Sequence, residues 1–194
     1  MKKFLFVAIL SLIYCNLSSS QSLFASIDGK PLSKTDIEYF NGKDKMTISL
    51  NDNEKNGGTI TIKTTQTYTY NAKQAYSHLR YKVLNNKKLN TSLVFIETFN
   101  DISLGCEVIQ VKNGQINNIG KMFVASYTKD NGERMNYNSI LPYLSIYKTS
   151  NQTFIFFETP LVVINPNESD EKIVKGKEVY YLISPEGINL KHTL

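Results

Sequence analysis

The chain has no tryptophan, two cysteines and two histidines in 194 residues, and each shortage narrows the chemistry open to it. Without tryptophan the broadest stacking surface is missing. Any platform of rings has to come from the 12 tyrosines and 10 phenylalanines. The histidines, His78 and His192, stand far apart, and neither belongs to a His-x-His or His-Glu-x-x-His pattern. A zinc or iron site therefore has no local support, and no cofactor is expected. Glycine-rich phosphate loops and Gly-x-Ser-x-Gly elbows do not occur. Apolar runs after Tyr14, such as Leu161 to Ile164, are a few residues long, against about 20 for a spanning helix. Charge of one sign does not dominate either. The formal net charge is +5, and the lysines are interspersed with acids, which argues against a nucleic-acid partner.

What is present begins at the first residues. Lys2 and Lys3 precede an apolar run from Phe4 to Tyr14, broken by Ser11, and small residues follow at Ser18 and Ser20. That order of charge, apolar segment and small residues is a bacterial-type signal peptide, expected to be cleaved after Ser20. The apolar run is too short for a membrane anchor. The mature chain would be 21–194, a single domain whose charge drops by two, from +5 to +3, with Lys2 and Lys3 gone. A chain of this size buries about 70% of its unfolded surface and needs no covalent staple. The alternative is lipidation at Cys15. Leu12-Ile13-Tyr14-Cys15 has the outline of a lipoprotein box, although Tyr14 stands where a small residue belongs. With Cys15 removed, Cys106 is the lone thiol and no internal disulfide can form.

Turn signals recur along the chain, among them Asp28-Gly29, Asn56-Gly57-Gly58, Asn113-Gly114 and Asn131-Gly132. Between them lie short segments rich in Ile, Val, Thr, Tyr and Phe. The combination predicts a mainly β, antiparallel domain, a sandwich or a partly open barrel with one or two short helices. An eight-stranded outer-membrane barrel is a minor alternative that lacks the long alternating segments it would need.

The clearest strand is Thr59 to Tyr70, with Ile60, Ile62, Tyr68 and Tyr70 on one parity and threonines on the other. Further strands are expected at Met46–Leu50, Leu93–Thr98, Cys106–Lys112, Lys121–Thr128 and Leu144–Tyr147. Thr153–Glu158, Leu161–Ile164, Glu178–Ile183 and Ile188–Lys191 complete the set. Phe154-Ile155-Phe156-Phe157 is apolar on both parities, which predicts cover on both faces. Asn113-Gly114 predicts a hairpin after the Cys106–Lys112 strand.

Helix is expected at Thr35-Asp36-Ile37-Glu38, a capping box stopped by Asn41-Gly42. A second helix is expected over Asn71 to Asn85, where Ala72, Ala75, Tyr76, Leu79 and Val83 form one stripe. The competing strand reading of that segment turns Leu79, Tyr81 and Val83 inward.

Several constellations bear on chemistry. Cys106 could act as a nucleophile with His78 as base and Asn100 or Asp101 orienting it, and Gly105 would leave room for a substrate. A strand cysteine is more often a small buried hydrophobe. Glu97, Asp101, Glu107, Glu133 and Glu158 fall near strand ends and could supply a carboxylate pair, but no spacing favours any two. Asn165, Asn167, Ser169 and Glu171 alternate like the opening of a calcium loop. The pattern then fails at Asp170, where glycine is needed, and at Gly176, where a glutamate belongs. Exposed tyrosine and phenylalanine rings could form a platform for sugars or a partner protein.

No motif here resembles that of a known family. The expectation is an exported, non-catalytic protein that binds a partner protein, a glycan or a small ligand in the periplasm or at the cell surface. The alternatives are a secreted hydrolase using Cys106 and His78 or a carboxylate pair, and an envelope protein tethered through Cys15.

Overall fold

The computed structural model describes residues 25–27, 37–41, 44–51, 58–72, 78–86, 89–100, 102–129, 135–148, 152–184 and 186–193. The expected signal peptide, the lipidation alternative at Cys15, and the carboxylates of Asp101 and Glu133 lie outside these residues.

The first half of the chain forms β1 (Ala25–Ile27), β2 (Ile37–Asn41), β3 (Asp44–Asn51), β4 (Thr59–Lys63), β5 (Thr67–Asn71), β6 (His78–Asn86) and β7 (Thr91–Asn100). Then come β8 (Ile102–Lys112), β9 (Gln115–Met122), β10 (Val124–Lys129), β11 (Met135–Asn138) and β12 (Leu144–Lys148). The last are β13 (Thr153–Phe157), β14 (Leu161–Ile164), β15 (Lys172–Lys175), β16 (Val179–Ser184) and β17 (Gly187–His192). All pair antiparallel into four open sheets, and the described strands close no barrel. The mainly β, antiparallel expectation is borne out as a sandwich.

The five-stranded sheet β1-β6-β7-β8-β9 is the middle layer. Its two parities feed two separate cores. Leu93, Phe95, Cys106 and Val108 face one, while Val94, Ile96, Ile109 and Val111 face the other. Consequently β7 is buried at seven consecutive positions, Thr91 to Glu97. Each fully buried Leu, Ile, Val or Phe contributes about 1.5–3 kcal/mol, so this strand anchors both layers.

On one side lies the sheet β2-β3-β4-β5, called here the threonine sheet, which contributes Met46, Ile48, Ile60 and Ile62. On the other lie the sheet β11-β10-β14-β15 and the sheet β12-β13-β16-β17. The latter, the aromatic sheet, contributes Leu144, Ile146, Ile155, Phe157, Val179 and Tyr181 to the core.

The Asn113-Gly114 turn joins β8 to β9 with φ of 51° and 76°, as its composition predicts. Two expectations of helix are corrected over the described part of each segment, while Thr35, Asp36 and residues 73–77 lie outside the described residues. Ile37–Asn41 is strand β2, paired with β3, and His78–Asn86 is strand β6, paired with β7. The stripe of Leu79 and Val83 fits both periods. The strand wins because β7 offers nine paired positions and a core for Leu79, Tyr81 and Val83. The short helical pieces that do occur are 3-10 turns at Leu141–Tyr143 and Gly176–Glu178.

The long strand expected over Thr59–Tyr70 is two strands, β4 and β5, folded at Thr64–Gln66. Its parity survives the fold, since Ile60 sits opposite Tyr70 and Ile62 opposite Tyr68. Likewise Lys121–Thr128 is split at Phe123 between β9 and β10. No helix among the described residues is long and apolar enough to cross a membrane.

Candidate functional site

Cys106 lies at 0% exposure in the core, opposite Glu97 on β7 and Met122 on β9. Burial pushes its thiol well above the ordinary range, and the nearby Glu97 carboxylate adds to the effect. His78 sits on β6, on the far side of β7, packed 5.3 Å from the Phe99 ring, which Arg80 also covers at 3.8 Å. Thiol and imidazole are thus two strands apart, about 10 Å in the sheet plane. The space expected beside Gly105 is filled. Its φ is +94°, and a Cβ there would lie 2.1 Å from the Met122 carbonyl oxygen. The residues proposed as nucleophile and base are not brought together.

The carboxylates separate as well. Glu97 is fully buried toward one core, where its Oε1 accepts from Ser103 Oγ at 2.7 Å and from the Ile140 amide at 3.2 Å. Its Oε2 has no hydrogen-bond partner among the described residues. Glu107 pairs across from Ile96, whose side chain faces the opposite core, so it projects from the other side of the sheet. Glu158 is held by the Ser145 hydroxyl. No two of these three share a cleft.

The loop from Asn165 to Glu171 closes on itself. Asn165 Nδ2 donates to Asp170 Oδ2 at 2.7 Å, and the Asn167 amide donates to Glu171 Oε2 at 2.7 Å. Tyr137 donates its hydroxyl to Glu171 Oε1, which pushes the phenol up to about 12. The acids that a cation would need are engaged within the loop. Among the described residues no group of three His, Cys, Asp or Glu side chains could hold a metal. His192 ends β17 on the surface.

The aromatic sheet presents a different arrangement. Its inward parity is filled by the core residues named above, so period two turns Tyr147, Phe154, Phe156 and Tyr180 outward. All four are half-buried. Phe154 and Phe156 stack at 6.2 Å and 20°, and Phe156 meets Tyr180 at 5.5 Å and 33°. Phe154 lies 5.8 Å from Tyr180, and Tyr147 closes edge-on against Phe156 at 5.5 Å. Rings at these separations form one continuous surface. The expectation that Phe154–Phe157 is covered on both faces is therefore corrected. Ile155 and Phe157 are core, whereas Phe154 and Phe156 are covered by each other and by neighbouring rings.

Polar groups border the rings. Lys191 stands opposite Tyr180, and Asn189 opposite Leu182. Beyond Phe156, an open groove of about 460 Å³ is lined by Phe157, Glu158, Thr159, Pro160, Lys175 and Lys177. Its floor is fixed where the chain crosses at Gly176, whose amide donates to the Pro160 carbonyl at 3.0 Å. A Cβ at Gly176 would lie 2.2 Å from the Thr159 carbonyl oxygen. Sequence reasoning raised a ring platform without naming its members. The usable signal was aromatic residues on the outward parity of β13 and β16, where a solvated strand carries polar ones.

No family model, curated protein or solved structure matches this chain, so its function is inferred from the chemistry of its own surface.

Proposed function

We propose that the chain is an exported, non-catalytic binding module that holds a glycan on the outer face of the aromatic sheet. The observation that supports this reading is the contiguous, half-buried set of Tyr147, Phe154, Phe156 and Tyr180 on the outward parity of the aromatic sheet. Folding demands apolar side chains only on the inward parity of a sheet with one buried face. Contiguous rings on the outward parity are the signature of a recognition surface. The flat face of a sugar ring, which carries C–H groups, stacks on such rings, while its hydroxyls reach the polar border. Export follows from the first twenty residues, with release at Ser20 and a mature chain beginning at Gln21.

The test has two parts. The full chain is produced in an exporting bacterial host, and intact masses are measured in the soluble and membrane fractions. A soluble species beginning at Gln21 is expected, whereas an acylated species beginning at Cys15 would replace this reading with a tethered envelope protein. The secreted protein and its Phe156→Ser/Tyr180→Ser variant are then applied to a printed panel of neutral and acidic glycans. Two lost stacking contacts of about 1–1.5 kcal/mol each should weaken binding by at least about 30-fold. An unchanged profile in a folded variant would remove this face as the site.

A further inference from the structure

We infer that the glycan bound by the aromatic sheet is an acidic one, carrying carboxylate or sulfate groups that meet Lys191 and Lys177 beside the rings. This rests on the reading of that sheet face as the binding surface and specifies its ligand class.

The charge around the platform is asymmetric once existing contacts are counted. Of the two acids at its border, Glu178 is paired with Lys175 at 3.2 Å, while Glu158 accepts from the Ser145 hydroxyl and keeps its charge in the groove it shares with Lys177. Lys191, on the outward parity directly opposite Tyr180, has no carboxylate partner among the described residues. Lys177, in the groove beyond Phe156, has none either. Both lysines are exposed. With Lys175 and Glu178 cancelling, Lys177 and Lys191 stand against the single charge of Glu158, which leaves the border of this apolar surface net positive, most clearly at Lys191.

An anion that also offers a flat apolar face satisfies both features, and an acidic pyranose is such a group. Lysine ammonium groups hold carboxylate or sulfate as point charges and need no fixed fork geometry, so exposed lysines at a rim suffice. Phe154 and Phe156, stacked on each other at 6.2 Å, form with Tyr180 and Tyr147 the apolar surface beside these lysines. A neutral glycan would use the rings and leave both cations unmatched.

The test compares polygalacturonate and hyaluronate with their methyl esters, in which the same sugars have lost their charge, using titration calorimetry with the secreted protein. The acids should bind at least about tenfold tighter than the esters. That preference should shrink when salt is raised from about 0.05 to 0.5 M. Lys191→Gln/Lys177→Gln should bring the ratio of acid to ester affinity close to one, whatever it does to ester binding itself. Equal binding of acid and ester, both lost in Tyr180→Ser, would overturn the acidic preference and keep the platform. Binding of both that survives in folded Tyr180→Ser would overturn the platform itself. Failure of every acidic glycan to bind, or tighter binding of a single-stranded oligo-dT probe, would also overturn the assignment.

Discussion

The threonine sheet and the aromatic sheet flank the same middle layer, yet their outer faces have little in common. Inside, both follow the same rule. Ile48, Ile60 and Ile62 on one side, and Ile146, Ile155 and Val179 on the other, alternate into their cores. Outside, the first carries Thr61 opposite Thr69 and Thr59 bonded to Asn71 at 2.9 Å. The second carries Phe154, Phe156, Tyr147 and Tyr180 in mutual contact. The threonine face shows what solvent exposure and β-propensity alone select. The rings on the other face answer to neither. Since both faces belong to one chain with one core-building rule, the difference between them isolates what the fold does not require.

Two substitutions sharpen this contrast through the parts that hold the layers in place. The largest effect is expected at Gly176, where the chain crosses the end of the aromatic sheet. In Gly176→Ala the new Cβ would meet the Thr159 carbonyl oxygen at 2.2 Å, so the backbone must move. A loss of about 2–3 kcal/mol in urea denaturation is expected. A loss below about 0.5 kcal/mol would show that the groove floor gives way freely.

The next effect reads the layer between the two faces. In the folded chain burial and the nearby Glu97 hold Cys106 protonated, with its pKa well above the unfolded thiol value of about 8.5. The folded state therefore keeps a proton that the unfolded chain releases. The corresponding stability is complete below about pH 8.5 and declines above it, by up to about 1.4 kcal/mol per pH unit until the folded pKa is reached. Denaturation of wild type and Cys106→Ala between pH 7 and 10 should converge by this slope, because the variant lacks the titrating group. The native thiol should also resist a disulfide reagent until urea is added. Prompt native labelling would mean that the layers open readily and would restore interest in thiol chemistry.

How far the sequence reaches follows from which residues answer to a single constraint. Ile60, Ile62, Tyr68 and Tyr70 alternate against one core, and Asn113-Gly114 can adopt the left-handed turn of a hairpin. Those elements were legible from local pattern alone. Residues 79–83 satisfy both helical and strand spacing, and only the partner strand β7 decides between them. Ile37–Asn41 carried a capping signal that pairing with β3 overrides. The site was less legible than the fold. Cys106, His78 and the carboxylates drew attention through residue type, but chemistry depends on which face of the middle sheet each occupies. Glu97 and Glu107 leave it on opposite sides. Phe154 and Phe156 looked like core because apolar residues on both parities usually are. Their outward position depends on the described residues placing no further layer over the aromatic sheet, which no local pattern encodes.

The smallest effect on stability, and the most direct attempt to break the contrast, comes from placing rings on the threonine face. Thr61 and Thr69 are direct cross-strand partners on β4 and β5. In Thr61→Phe/Thr69→Phe the new pair should change stability by no more than about 1 kcal/mol, since cross-strand aromatic pairs on an exposed face contribute modestly. Urea denaturation measures that change, and light scattering should show self-association from the new apolar patch. Introduced together with Phe156→Ser/Tyr180→Ser, the graft should not restore binding of hyaluronate. Two rings on β4 and β5 lack the third and fourth that make a continuous surface and the rim formed by Lys191 and Lys177. Recovery of wild-type affinity would mean that exposed rings on any flat sheet suffice, and the aromatic sheet would lose its claim to a built site. Continued failure, in a folded and stable variant, would place recognition in the arrangement of rings and cations rather than in their number.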